Sequence, residues 1–169
     1  ITQHHRTLTQ LPFSFRIITA NVGVEHPFPS SVVELIQVWL DLEVRNDRGD
    51  VVYRSGALAP DGTLDPQAHT LGGYIVDDQG NVIDRNRIWV IKKKIIEREI
   101  PAGKHTQDEY AFPLPEDVGA FIEIQATWKY RKLNQPFVDW AFPGQRITMP
   151  AADVATLNRT LAVERGSGF

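Results

Sequence analysis

Between residues 36 and 45 apolar and polar side chains alternate without a break. Ile36, Val38, Leu40, Leu42 and Val44 form one set; Gln37, Trp39, Asp41, Glu43 and Arg45 form the other. A helix would bring apolar residues back every three or four positions, whereas a strand sends successive side chains to opposite faces. The stretch therefore predicts a half-buried β-strand. A second long strand follows from Ala120, Ile122, Ile124, Ala126, Trp128 and Tyr130, which alternate with Phe121, Glu123, Gln125, Thr127, Lys129 and Arg131. Near the start, Phe13, Phe15 and Ile17 alternate with Ser14 and Arg16, predicting a strand that ends near Asn21.

Turn chemistry divides the rest. Asn46-Asp47-Arg48-Gly49-Asp50 makes 36–55 a hairpin, and Asp77-Asp78-Gln79-Gly80 sets up another between 74–76 and 81–83. From Ile88 to Ile100 the chain is apolar and β-branched, with its phase broken at Lys92-Lys93-Lys94. That pattern predicts a bulge or an edge strand carrying protective charge. Tyr110-Ala111-Phe112 reads as a short strand, 136–142 as another aromatic-rich segment, and 56–73 as a long loop. Past Pro143-Gly144 the reading divides: Val154, Leu157 and Leu161 have helical spacing, and an extended arm fits equally well. About eight short strands without a strong amphipathic helix predict an all-β fold. The expectation is an immunoglobulin-like antiparallel β-sandwich with extended N- and C-terminal arms; a barrel is the alternative. The parts are an arm over 1–11, a sandwich over 12–145 and an extension over 146–169.

Composition narrows the chemistry. With 169 residues, 42% hydrophobic and 23% charged, the chain can bury one core. A formal charge of −3 offers no basic stripe for nucleic acid. The absence of cysteine excludes disulfides, zinc–thiolate and iron–sulfur sites, and haem attached through C-x-x-C-H. No apolar run reaches the ~20 residues that span a bilayer. The chain starts at Ile1 rather than Met, which reads as a processed product or a fragment.

Candidate sites are few. His26, between Glu25 and Pro27 in a loop stiffened by Pro27 and Pro29, presents an imidazole that could ligate metal or haem iron; its structural alternative is a turn histidine bonded to a nearby carbonyl. His4 and His5 are candidates for reaching a neighbour. Asp61 and Asp65 bracket a glycine-containing bend with His69 four residues on, a candidate Ca²⁺ site that turn chemistry also explains. No nucleophile motif is present and no acid/base set converges in sequence, so a non-enzymatic role is expected. Trp39, Trp89, Trp128 and Trp140 are candidates for a sugar platform, the basis of an alternative reading as a carbohydrate- or ligand-binding module. Trp39 stands on the polar face of its strand, which implies a second covered surface, supplied by the tail or a partner. Trp39, Phe28 and Trp140 are the candidate interface residues.

A set of segments in order resembles one family. NVGVEHPFPS (21–30), VWLDLEVRNDRGDVVYRSG (38–56) and LDPQAH (64–69) are followed by Ile100-Pro101-Ala102-Gly103 and Tyr110-Ala111-Phe112-Pro113-Leu114-Pro115. Ala126-Thr127-Trp128-Lys129-Tyr130-Arg131, running on to Phe137 and Trp140, completes the set. Over residues 12–142 this resembles the C-terminal β-sandwich of exported multihaem c-type cytochromes. Two departures stand out: Glu25 occupies a position where that family carries glycine, and the haem-attachment segments are missing. The resemblance implies a periplasmic or extracellular setting, beside haem-containing proteins or in a membrane-attached redox assembly. It implies no chemistry of its own; without attachment segments no cofactor is bound covalently, and the sharper expectation is a partner chain's haem to which His26, His4 or His5 would lend a ligand.

Overall fold

The computed structural model describes residues 12–30, 32–83 and 87–163. Among these residues eight strands run in the order β1 (Phe13–Ala20), β2 (Gln37–Asn46), β3 (Val51–Ser55), β4 (Thr70–Val76), β5 (Lys93–Arg98), β6 (His105–Phe112), β7 (Phe121–Arg131) and β8 (Ala152–Ala162). One helix, α1 (Gln135–Ala141), lies between the last two. The larger sheet has the order β5-β4-β2-β7-β8. β3 continues the β4 edge, pairing with β2 from Leu42 to Arg45 where β4 pairs at Val38 and Trp39. β1 and β6 form a two-stranded sheet in full antiparallel register, from Phe13↔Phe112 to Ala20↔His105. The two sheets pack face to face as an all-β sandwich.

The alternation in β2 sorts as its period dictates. Val38, Leu40, Leu42 and Val44 are at most 1% exposed. Their β7 partners Trp128, Ala126 and Ile124 lie on the same inner face. From the small sheet, Ile17, Tyr110 and Phe112 close the core. Tyr53 of β3 stacks on Phe112 with ring centroids 4.0 Å apart, and Phe15 stacks on Tyr110 at 5.6 Å. One polar tie joins the layers here: the Trp128 indole N–H donates to Thr19 Oγ1 at 2.7 Å.

Three segments depart from expectation. The aromatic-rich segment 136–142 enters α1 as far as Ala141: Pro136 stands in its first turn and the Asn134 side chain accepts the Phe137 N–H. Residues 88–90 form a single 3₁₀ turn, so the strand expected from Ile88 begins only at Lys93. Instead of a helix or a free arm, residues 152–162 form β8, paired along β7 from Tyr130↔Ala152 to Phe121↔Ala162 with a bulge near Trp128. Part of the expected C-terminal extension is thus an edge strand of the main sheet.

Candidate functional site

The outer face of the large sheet carries a small second core. Trp39 is fully buried there. Its indole N–H donates to the Gly56 carbonyl at 2.9 Å, and the Arg131 guanidinium lies over its ring. Gly56 has φ +83°, and a Cβ at this position would run into the Leu40 carbonyl, so the loop can approach β2 only as glycine. Arg131, 1% exposed, donates from Nε to Gln37 Oε1 and from Nη1 to the Gly62 carbonyl, both at 2.7 Å. Burial holds its pKa below the usual arginine value. Gln135 on α1 donates to Asp139 and to the Ile147 carbonyl, and Asn134 ties the helix start to Glu34 and Leu35. The covered surface inferred from Trp39 therefore exists and is made by this chain. As Trp39 has no exposed surface, it is not an interface residue.

Beyond this patch the outer face is open and charged. Glu43 pairs with Arg45 and Arg54, and Lys129 pairs with Asp153 at 2.7 Å and lies 4.0 Å from Asp41. Burial raises the Asp41 pKa above its ordinary value against the opposing pull of Arg54 and Lys129.

A buried ionic cluster links the sheets. Asp108, 1% exposed on β6, accepts at Oδ1 from Arg98 Nη1 (2.6 Å) and from His69 Nδ1 (2.7 Å). The His69 ring stacks on Tyr110 with centroids 4.5 Å apart. Among the described residues, Asp108 Oδ2 and the Tyr110 hydroxyl are buried without a hydrogen-bond partner. Burial, and then the nearby Asp108 carboxylate, push the Tyr110 pKa far up. Sequence reasoning missed Asp108 and Arg98. The signal was the parity of Asp108, Tyr110 and Phe112, which puts a carboxylate on the inner face.

Asp61 and Asp65 are used in turns. Asp61 accepts the Thr63 N–H, and Asp65 accepts those of Gln67 and Gly56. Neither is among the hydrogen-bond partners of His69, and among the described residues no three His, Asp or Glu side chains converge as a metal site. His26 is exposed, with Nδ1 2.9 Å from the Pro27 carbonyl; the loop is tied by Asn21 Nδ2 to the His26 and Ile100 carbonyls. Phe28 exchanges backbone hydrogen bonds with Ile100 and lines an apolar hollow of about 180 Å³ with Trp128 and Val154. Trp140 is 47% exposed, leans on Phe137 and lies near the half-exposed Phe142 in sequence. Trp39 and Trp128 are buried, so the four tryptophans do not assemble a common platform. His4 and His5 lie outside the described residues.

No family model matches the chain, and no curated protein does. A solved structure, a penta-heme cytochrome c552 from Thermochromatium tepidum, is similar to it at 16% identity with a TM-score of 0.64. The similarity covers 90% of this chain and 37% of that chain, so this chain spans little more than a third of the cytochrome's length. At this identity the likeness shows a shared fold.

Proposed function

We propose that this chain is a non-catalytic β-sandwich subunit or domain that packs against redox proteins in a periplasmic or extracellular electron-transfer complex. The observation that carries the reading is the fold likeness to a penta-heme cytochrome over nine-tenths of a chain that has no cysteine. A body of this shape without haem attachment contributes by contact. The half-exposed Trp140 and Phe142 give a partner an apolar surface beside α1.

Histidine ligation to a neighbour's haem is the sharper form of this reading. His26 has the features such a ligand needs, an exposed ring with Nδ1 oriented by a carbonyl and Nε2 left for iron. Purification of the chain from its native source, under conditions that keep complexes intact, tests the proposal. A copurifying species with Soret absorbance supports it; a monodisperse chain alone overturns it. Within such a complex, His26→Ala should alter the haem spectrum, and an unchanged spectrum removes His26 as the ligand.

A further inference from the structure

The two ends of the large sheet meet solvent differently. β5, at one end of the order, is six residues long and carries Lys93, Lys94, Glu97 and Arg98, the short length and charge by which natural sheets discourage further pairing. β8, at the other end, is eleven residues long, and every one is exposed. It has no lysine and no proline; its charged side chains are Arg159 and Asp153, the latter held by Lys129. Leu157 and Leu161 remain 38% and 37% exposed on it. Its register shifts only near Trp128, so residues 155–161 pair regularly with β7. The direction of its free main-chain groups follows from Val163, whose N–H donates to the Ala120 carbonyl at 2.9 Å. Positions alternate along an antiparallel ladder. Leu161, Arg159, Leu157 and Ala155 therefore turn their N–H and C=O toward β7, and Thr160, Asn158 and Thr156 turn theirs to the open edge. Among the described residues no strand lies beyond them.

We infer that this edge pairs antiparallel with the β8 edge of a second copy of the chain, about a two-fold axis at Asn158. Self-complementarity singles out a second copy as the occupant. The regular stretch 155–161 is centred on Asn158, so an isologous pair uses all of it. Thr156 then faces Thr160 of the second copy and Asn158 faces its own counterpart, each pair exchanging both main-chain bonds through groups that already point outward. These three side chains share the outer face, beside Thr127, Gln125 and Glu123 of β7, and threonine opposite threonine is a favourable cross-strand pair. On the other face Ala155 meets Leu161 of the second copy, and Leu157 meets its Arg159. Small stands against large there, and the arginine stem covers a leucine that solvent now touches. A two-fold axis at Arg159 would instead set guanidinium against guanidinium at the closest kind of cross-strand position. A strand from an unrelated protein would gain the main-chain bonds but need not match these side chains in reverse order.

The test is sedimentation equilibrium of the whole chain, with amide exchange measured at concentrations on either side of the association. A concentration-dependent dimer is the expected result, with exchange at Thr156, Asn158 and Thr160 slowed in the dimer. Asn158→Pro removes an N–H that β7 does not use and should weaken association roughly 30-fold, through loss of both bonds at the axis. Thr156→Lys with Thr160→Lys sets like charges opposite each other and should abolish pairing, as should Thr156→Glu with Thr160→Glu. Mixing these two variants should restore a one-to-one dimer. All three positions are exposed, so an unchanged thermal midpoint below the association range confirms folding. The charge exchange stands as the test if Asn158→Pro fails to fold. A chain that stays monomeric up to roughly millimolar concentration overturns the inference. So does a dimer indifferent to these substitutions, or one whose Lys and Glu variants fail to rescue each other. Protection of the three amides only within a complex with another protein would assign the edge to that partner's strand and equally overturn it.

Discussion

The guanidinium carbon of Arg131 lies 5.5 Å from the centroid of the Trp39 ring, on the outer face of a strand whose inner face builds the main core. The two residues stabilise each other by different means. The indole offers a π face to a cation that burial has deprived of water, and the cation anchors two carbonyl oxygens that would otherwise be stranded.

Arg131→Met should therefore destabilise the fold by about 2–3 kcal/mol, since it strands the Gly62 carbonyl and the Gln37 amide oxygen and removes the stacked cation. Arg131→Lys should recover little, because one ammonium cannot reproduce a planar fork that addresses two acceptors. Urea denaturation midpoints at constant m-value measure both effects.

Asp108 is the point at which β6 of the small sheet meets Arg98 and His69 of the large one. Asp108→Asn keeps the size and loses the charge on a buried acceptor, at an expected cost of about 2–4 kcal/mol. Arg98→Met should cost distinctly less in the Asp108→Asn background than in the native chain. Additive losses in this double-mutant cycle would show that the pair is uncoupled.

Tyr110 presents the opposite case, a buried hydroxyl with no partner among the described residues. Tyr110→Phe should be neutral or stabilising by up to about 1 kcal/mol near neutral pH. Its phenol keeps its proton in the folded state far beyond the ordinary value of 10.0, so the unfolded state loses the proton first. Stability from this group is intact below pH 10 and declines as pH rises beyond it. The Phe variant should lose less stability in alkali, as followed by denaturant unfolding across that range.

Asp41 gives the acid-side counterpart. Its folded pKa lies above the ordinary 3.8, with burial the largest cause, so the native state holds the proton more tightly than the unfolded chain does. Its contribution is thus most favourable below pH 3.8 and decreases as pH rises through the raised value. Asp41→Asn should stabilise the chain at neutral pH, by less than about 1 kcal/mol given its partly solvated setting, with the gain vanishing in acid. Equal stability changes at both pH values would count against this account.

How much of this was legible in the sequence depended on whether the determinant was local. β2 and β7 declare themselves because inner residues alternate with mostly polar ones, and Asn46–Asp50 fixes the β2–β3 hairpin. Trp39 was read as needing a cover, correctly, but alternation assigns a face without naming what lies on it. That cover comes from Gly56, Gly62 and Arg131, distant in sequence. α1 had a readable start, Asn134 followed by Pro136, obscured by an aromatic content that suits strands equally well. β8 was obscured by the helical spacing of Val154, Leu157 and Leu161, although Thr156 and Thr160 favour extended chain; its conformation is decided by the free edge of β7. His69 and Asp108 are separated by 39 positions and share no motif. Their meeting is a product of topology.

All eleven residues of β8 are exposed, so this strand is held chiefly by main-chain bonds along one border. Detaching it sacrifices little side-chain contact, and it should peel away well before the body melts, with amide exchange along 152–162 faster than along β2. Each such opening lays bare the rim of a fully formed sheet. The same excursion that frays one molecule thus prepares an acceptor for a complementary strand from another.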